Sequence, residues 1–97
     1  IKVKHLVKKK QLVFLNGGWV ANDEACTSYQ DILSNIMIGQ TFISREFGEE
    51  ALPKVGWQVD SFGHSKTNMV LFKELGLNAV FFARQDFRER TWRDQNR

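Results

Sequence analysis

Apolar positions along the chain alternate between helical and extended spacing. Val3, Leu6 and Val7 recur at i, i+3 and i+4, the spacing of one helix face, and predict a helix over residues 1–10. Lys2, Lys4, Lys8, Lys9 and Lys10 fill most of its remaining positions. Lysines near a helix C-terminus complement its dipole. With no aromatic or arginine interleaved, they read as a solvated face rather than a phosphate-binding patch. Leu12-Val13-Phe14-Leu15 is continuously apolar, the pattern of a parallel strand covered on both faces, and it stops at Asn16-Gly17-Gly18. A loop follows over residues 19–24. Tyr29, Ile32, Leu33, Ile36, Ile43 and Phe47 then form one stripe of a long helix from Cys26 to Phe47. Gly39 weakens that helix locally, and Gly48 ends it.

A loop at 49–53 leads to a second strand, Lys54–Val59, which ends at Asp60. Ser65 is an N-cap residue for a helix running to Leu75, with Met69, Phe72 and Leu75 facing the core and Gly76 as the stop. Asn78–Ala83 is a third apolar strand, built on Val80, Phe81 and Phe82 and ending at Arg84. Beyond Phe87 the run is mostly charged and predicts no firm element. The order α-β-α-β-α-β defines an α/β chain of three consecutive β/α units with a parallel sheet and right-handed crossovers. Ionisable groups at the carboxyl ends of parallel strands are where such proteins carry chemistry. Here the strand ends hold Asp23, Asp60 with His64, and Arg84.

The 97 residues suffice for one small domain. Three strands alone leave the sheet edges uncovered. The chain has no initiator Met and no signal peptide, and both ends look cut, so a fragment of something larger is expected. Fourteen basic against eleven acidic residues give a net charge of +3, too mild to mark a nucleic-acid binder. With 42% apolar residues the composition is that of a folded chain, and no apolar run approaches a membrane span. The single cysteine, Cys26, excludes an internal disulfide and reads as a small buried thiol.

Neither a dinucleotide-binding glycine motif nor a phosphate-binding loop occurs, and no serine sits in a nucleophile elbow. Asp23 and Glu24 admit two readings, as site residues beyond a strand end or as carboxylates at the N-terminus of the next helix. Asp60 and His64 are metal-compatible types but too few for a closed zinc site. Taken alone, His64 reads as a hydrogen-bonded turn residue.

Three segments resemble the catalytic domain of glycoside hydrolase family 38, the α-mannosidases, most closely the lysosomal type. They are Asn16-Gly17-Gly18-Trp19-Val20-Ala21-Asn22-Asp23-Glu24-Ala25, Gly56-Trp57-Gln58-Val59-Asp60-Ser61-Phe62-Gly63-His64-Ser65 and Phe81-Phe82-Ala83-Arg84-Gln85-Asp86-Phe87. Their order and spacing match the family over nearly the whole chain. The resemblance implies that residues 1–97 are an internal part of a barrel with seven parallel strands, contributing three consecutive ones. It implies Asp60 as catalytic nucleophile and zinc ligand, Phe62 lining the sugar subsite, and Arg84 near the active-site carboxylates and the bound sugar. The remaining zinc ligands and the general acid/base would lie in the remainder of the parent catalytic domain, and no ligand role is carried onto His64.

The implied substrate is a mannose-containing oligosaccharide derived from N-glycans, and the implied compartment is the lysosome or vacuole. No N-glycosylation sequon occurs in the chain itself. Trp19, Trp57 and Phe62 are candidate faces for a sugar ring, with core packing the better reading for Trp57. One position departs from the family's Asp-Pro-Phe-Gly-His-Ser: Ser61 stands where proline is usual. Proline fixes φ and lacks an N–H, so Ser61 loosens the turn that aims Asp60. A degenerate, non-catalytic carbohydrate-binding module is the alternative.

Overall fold

The computed structural model describes residues 2–96. Helix α1 spans Lys2–Lys8 and buries Val7, while Val3 and Leu6 stay exposed. Ile1 of the predicted helix lies outside the described residues. The lysines are solvated as expected, and Lys4 pairs with Glu46 at 3.4 Å.

Leu12–Leu15 is not a strand, which departs from the expected three-stranded sheet. The reason lies at its end. Asn16 takes φ 60° and Gly17 φ 85°, and the Gly17 N–H donates back to the Leu15 carbonyl at 2.7 Å, closing a tight turn. Asn16 nevertheless docks on the next segment. Its N–H donates to the Val55 carbonyl at 3.0 Å. Its side-chain amide donates to the Trp57 carbonyl at 2.7 Å and accepts the Trp57 N–H. One asparagine side chain thus stands in for the peptide of a neighbouring strand.

Helix α2 spans Tyr29–Phe47. It starts later than Cys26 because Ser28 caps it: Ser28 Oγ accepts the Asp31 N–H at 3.2 Å and donates to the Asp31 carboxylate at 2.7 Å. The preceding N–H groups of Cys26 and Thr27 turn back onto the Asp23 carbonyl instead. Cys26 is exposed, contrary to its reading as a buried thiol. Ile32, Ile36 and Ile43 are buried along the predicted stripe, whereas Tyr29 is 52% exposed at its start.

Gly39 does more than weaken the helix. A Cβ there would lie 2.1 Å from the Gly17 carbonyl oxygen and 2.5 Å from the Gly18 carbonyl carbon, so its absence lets the 17–19 backbone lie directly on α2. The Trp19 N–H reaches the Asn35 carbonyl at 3.0 Å, and the Asn35 side chain bonds both the N–H and the carbonyl of Val20. Gly48, at φ 94°, closes the helix.

Strand β1, Val55–Gln58, and strand β2, Ala79–Phe82, pair in parallel, with Gly56 opposite Val80 and Gln58 opposite Phe82. Helix α3, Lys66–Glu74, connects them. At its end the Gly76 N–H bonds the Lys73 carbonyl and the Leu77 N–H the Phe72 carbonyl, with Gly76 at φ 85°. That is the helix stop expected at Gly76, in the Schellman arrangement. Phe72 lies against Gly56 of β1, where a Cβ would meet its ring at 2.9 Å. Ile32, Ile36, Leu71, Phe72 and Leu77 form the core, with Leu33, Met69, Leu75 and Val80 packed around it.

The charged run after Phe87 is a helix, α4, Phe87–Gln95. Asp86 caps it by accepting the Arg88 N–H at 2.8 Å, and Arg93 pairs with Glu89 one turn back at 2.6 Å. The two-stranded parallel sheet with its crossover helix is consistent with an α/β class. The chain is elongated, 49 × 29 × 20 Å, with a radius of gyration of 15.1 Å, against about 12.5 Å for a compact chain of this length. No helix among the described residues is long and apolar enough to cross a membrane.

Candidate functional site

Asp60 stands two residues beyond β1, and Arg84 two residues beyond β2. Parallel pairing in register therefore brings them to the same end of the sheet. The Arg84 guanidinium donates to Asp60 Oδ1 at 2.9 Å. It also lies 4.4 Å from the centre of the Phe62 ring, a cation–π distance. The three residues singled out in the sequence, Asp60, Phe62 and Arg84, thus form one contact group. All are open to solvent, with the Asp60 side chain 82% exposed and Phe62 67%. A cleft of about 680 Å³ opens beside them, lined by Phe62, His64 and Arg84 but not by Asp60.

The turn between Asp60 and α3 is tied from outside. Asp23 Oδ1 accepts the Phe62 N–H at 3.1 Å. Glu24 Oε1 accepts the Ser65 N–H at 3.0 Å, and Glu24 Oε2 lies 2.7 Å from His64 Nδ1. Ser65 is the N-cap residue of α3 by position, but its side chain makes no capping bond. Asp23 and Glu24 therefore do not cap α2, a task Ser28 performs. They hold the turn after β1 instead, through the Phe62 and Ser65 N–H groups and His64. The Glu24 link to His64 spans forty residues, and only the shared strand-end topology hinted at it. Ser61 is buried in this turn, at 4% exposed.

His64 has both ring nitrogens engaged, Nδ1 with Glu24 and Nε2 with the Arg84 carbonyl at 2.7 Å. Partial burial pulls its pKa down, but the bonds to Glu24 and the Arg84 carbonyl, with the charges of Glu24 and Glu89, outweigh it and hold the pKa above the ordinary value of 6.5. Beneath the turn, Gln58 donates to the Asn22 carbonyl and Asn22 to Asn68 Oδ1 at 3.2 Å each, a buried amide chain that fixes the 22–24 loop to β1 and α3. Trp57 lies tilted at 47° against Phe81, with ring centres 6.2 Å apart across the sheet, and stays 46% exposed, so it is not the core residue expected. Trp19 packs edge-on against Phe42 of α2 at 5.5 Å.

Among the described residues no three His, Cys, Asp or Glu side chains converge as a metal site. Asp60 offers one accessible carboxylate, a hard oxygen donor, and His64 has no free ring nitrogen. The donor chemistry suits a single ligand of a shared site, not a complete one.

An exposed ion pair and an exposed aromatic face at the carboxyl ends of parallel strands stand where α/β proteins place their ligand sites. The family model described as glycosyl hydrolases family 38 N-terminal domain matches residues 1–97, and the chain belongs to that family. It is 40% identical over 94 residues to the lysosomal alpha-mannosidase of Felis catus, covering 97% of this chain and 9% of that protein. Against the human lysosomal alpha-mannosidase it is 41% identical over 93 residues, 96% of this chain and 9% of the relative. An alpha-mannosidase of Arabidopsis thaliana is 45% identical over 94 residues, again 96% and 9%. The chain thus spans about a tenth of the length of these relatives.

Proposed function

We propose that this chain is part of the catalytic domain of a zinc-dependent, retaining α-mannosidase that releases terminal α-linked mannose from N-glycan-derived oligosaccharides in the lysosome or vacuole. The observation that carries the reading is the Asp60–Arg84–Phe62 group at one end of the parallel sheet. In this reading residues 1–97 supply three consecutive β/α units to a seven-stranded barrel. Leu12–Leu15 takes the third strand's place beside β1, where Asn16 already bonds Val55 and Trp57. The elongated shape and the exposed Phe81 and Phe82 fit a chain covered by the remainder of that domain.

Asp60 acts as nucleophile on the anomeric carbon and forms a covalent glycosyl ester. A second carboxyl group, from the remainder of the domain and about 5–5.5 Å away, protonates the leaving oxygen and then activates water. Arg84 holds one Asp60 oxygen and so fixes the rotation of the other; its planar guanidinium also suits sugar hydroxyls. Phe62 presents an apolar face to the sugar ring. Asp60 is one zinc ligand, and the rest come from outside this chain. Zinc, when bound, supplies a fixed positive charge that orients mannose hydroxyls.

The test is turnover of a chromogenic α-mannoside by the full-length protein, with and without a chelator, beside Asp60→Asn. Chelator-sensitive activity that the variant loses is expected. A folded, zinc-loaded protein without activity would overturn the reading and leave a sugar-binding module.

A further inference from the structure

Glu24 takes no part in the chemistry just described, yet its side chain is fully buried, at 0% exposed, and both its oxygens are used. One holds the Ser65 N–H and the other His64 Nδ1. The far side of the imidazole, Nε2, meets the Arg84 carbonyl. Both partners of the ring are acceptors. A neutral imidazole has one N–H and would turn a lone pair towards one of these oxygens; the imidazolium has two and satisfies both. The ring also packs edge-on against Phe82 of β2, with centroids 5.3 Å apart. Three segments meet through this one ring: the 23–24 loop, the turn after β1 and the end of β2. Arg84 stands at the end of the chain, its backbone held by His64 and its guanidinium on Asp60 and Phe62.

We propose that Glu24 and His64 are positioning residues for the sugar site: Glu24 orients the imidazolium, and the imidazolium fixes the Arg84 backbone so that the guanidinium reaches Asp60 and Phe62. The proposal rests on the reading of Asp60 as nucleophile. A clip that requires a protonated ring is strongest in acid. Its upward-shifted group contributes fully below about 6.5, the ordinary histidine value, and the contribution is lost as pH rises through the higher folded value. The charges that act on the ring are Glu24 from the loop and Glu89 of α4, while Arg84 meets it through its backbone carbonyl. Lys66 of α3, Asp86, and Glu89 and Arg93 of α4 line the cleft beside it.

The experiment compares kcat and KM against pH, from about pH 4 to about pH 9, for the full-length wild type, Glu24→Gln, His64→Gln and the double variant. Glu24→Gln removes the counter-charge and is expected to move the alkaline limb of kcat to lower pH. His64→Gln is expected to lower kcat roughly 10- to 100-fold, as a small misplacement of a site group does. The double variant should be no slower than His64→Gln, because both act through one contact chain. Folded single variants whose kcat–pH profiles overlay the wild type, with only a lower melting temperature, would overturn the proposal. The His64 ring pKa, followed by NMR in the wild type, decides where the variants do not fold. A value above the ordinary one supports the clip, and a value at or below it overturns it. Failure of the mannosidase reading shows separately, as a wild type without turnover, and leaves this titration intact.

Discussion

Asp60–Arg84 and Glu24–His64 each join a carboxylate to a basic side chain across the strand ends, at 2.9 and 2.7 Å, yet water reaches them very differently. The first pair is exposed, 82% at Asp60 and 54% at Arg84. The second is closed at Glu24 and 29% exposed at His64. An exposed pair adds little to stability, because solvent screens it and two side chains must be held still. A carboxylate buried with its partner becomes costly once that partner is removed. One sheet end thus carries an open pair that water reaches and a closed pair whose imidazole holds the Arg84 backbone.

Asp60→Asn in the full-length protein should set the two pairs furthest apart. Turnover of an α-mannoside should fall by roughly 1,000-fold or more, while thermal unfolding barely moves. A matching large loss of stability would mean that Asp60 is structural. Glu24→Ala should act on stability as well as on turnover, with a loss of about 2 kcal/mol in denaturant unfolding. That is below the cost of splitting a wholly buried pair, because His64 retains some access to water. Raising the pH through the imidazole's titration should lower wild-type stability by less than that, and Glu24→Ala should show a smaller fall, because the Arg84 carbonyl and Glu89 still favour the protonated ring. Smallest of all is the coupling in a double-mutant cycle between Asp60 and Arg84, about 0.2–1 kcal/mol in stability. A coupling well above that would show the open pair to be more enclosed than its exposure implies.

Asp60 and Arg84 were legible in the sequence because two parallel strands in register must bring their ends together, and Phe62 through the family resemblance of the segment that carries it. The stops at Gly48 and Gly76 were legible for a local reason: both take positive φ, which favours glycine. Other features depended on partners distant in sequence. Leu12–Leu15 has a strand's composition, but pairing is set by where Asn16 docks, and its positive φ turns the chain away. Asp23 and Glu24 precede a helix as capping carboxylates do, yet Ser28 and Asp31 satisfy that helix reciprocally and leave the acids to bond the turn after β1. The run after Phe87 looked structureless because it offers no apolar stripe. It forms a helix through a cap and an ion pair one turn apart instead.

The Asn16–Gly17 turn bears on how the protein ages. An asparagine followed by glycine is the dipeptide most prone to deamidation, through attack of the following amide nitrogen on the side-chain carbonyl. Here that nitrogen donates to Leu15, and the Asn16 amide is clamped at both ends by Trp57. Folding shields the reactive bond, and unfolding of the segment exposes it. Once converted to aspartate, the side chain loses the N–H that bonds the Trp57 carbonyl and sets a carboxylate oxygen against it, so refolding onto β1 is impaired. Conversion at residue 16 is therefore expected to be slower while Asn16 stays docked on β1 than in the unfolded chain.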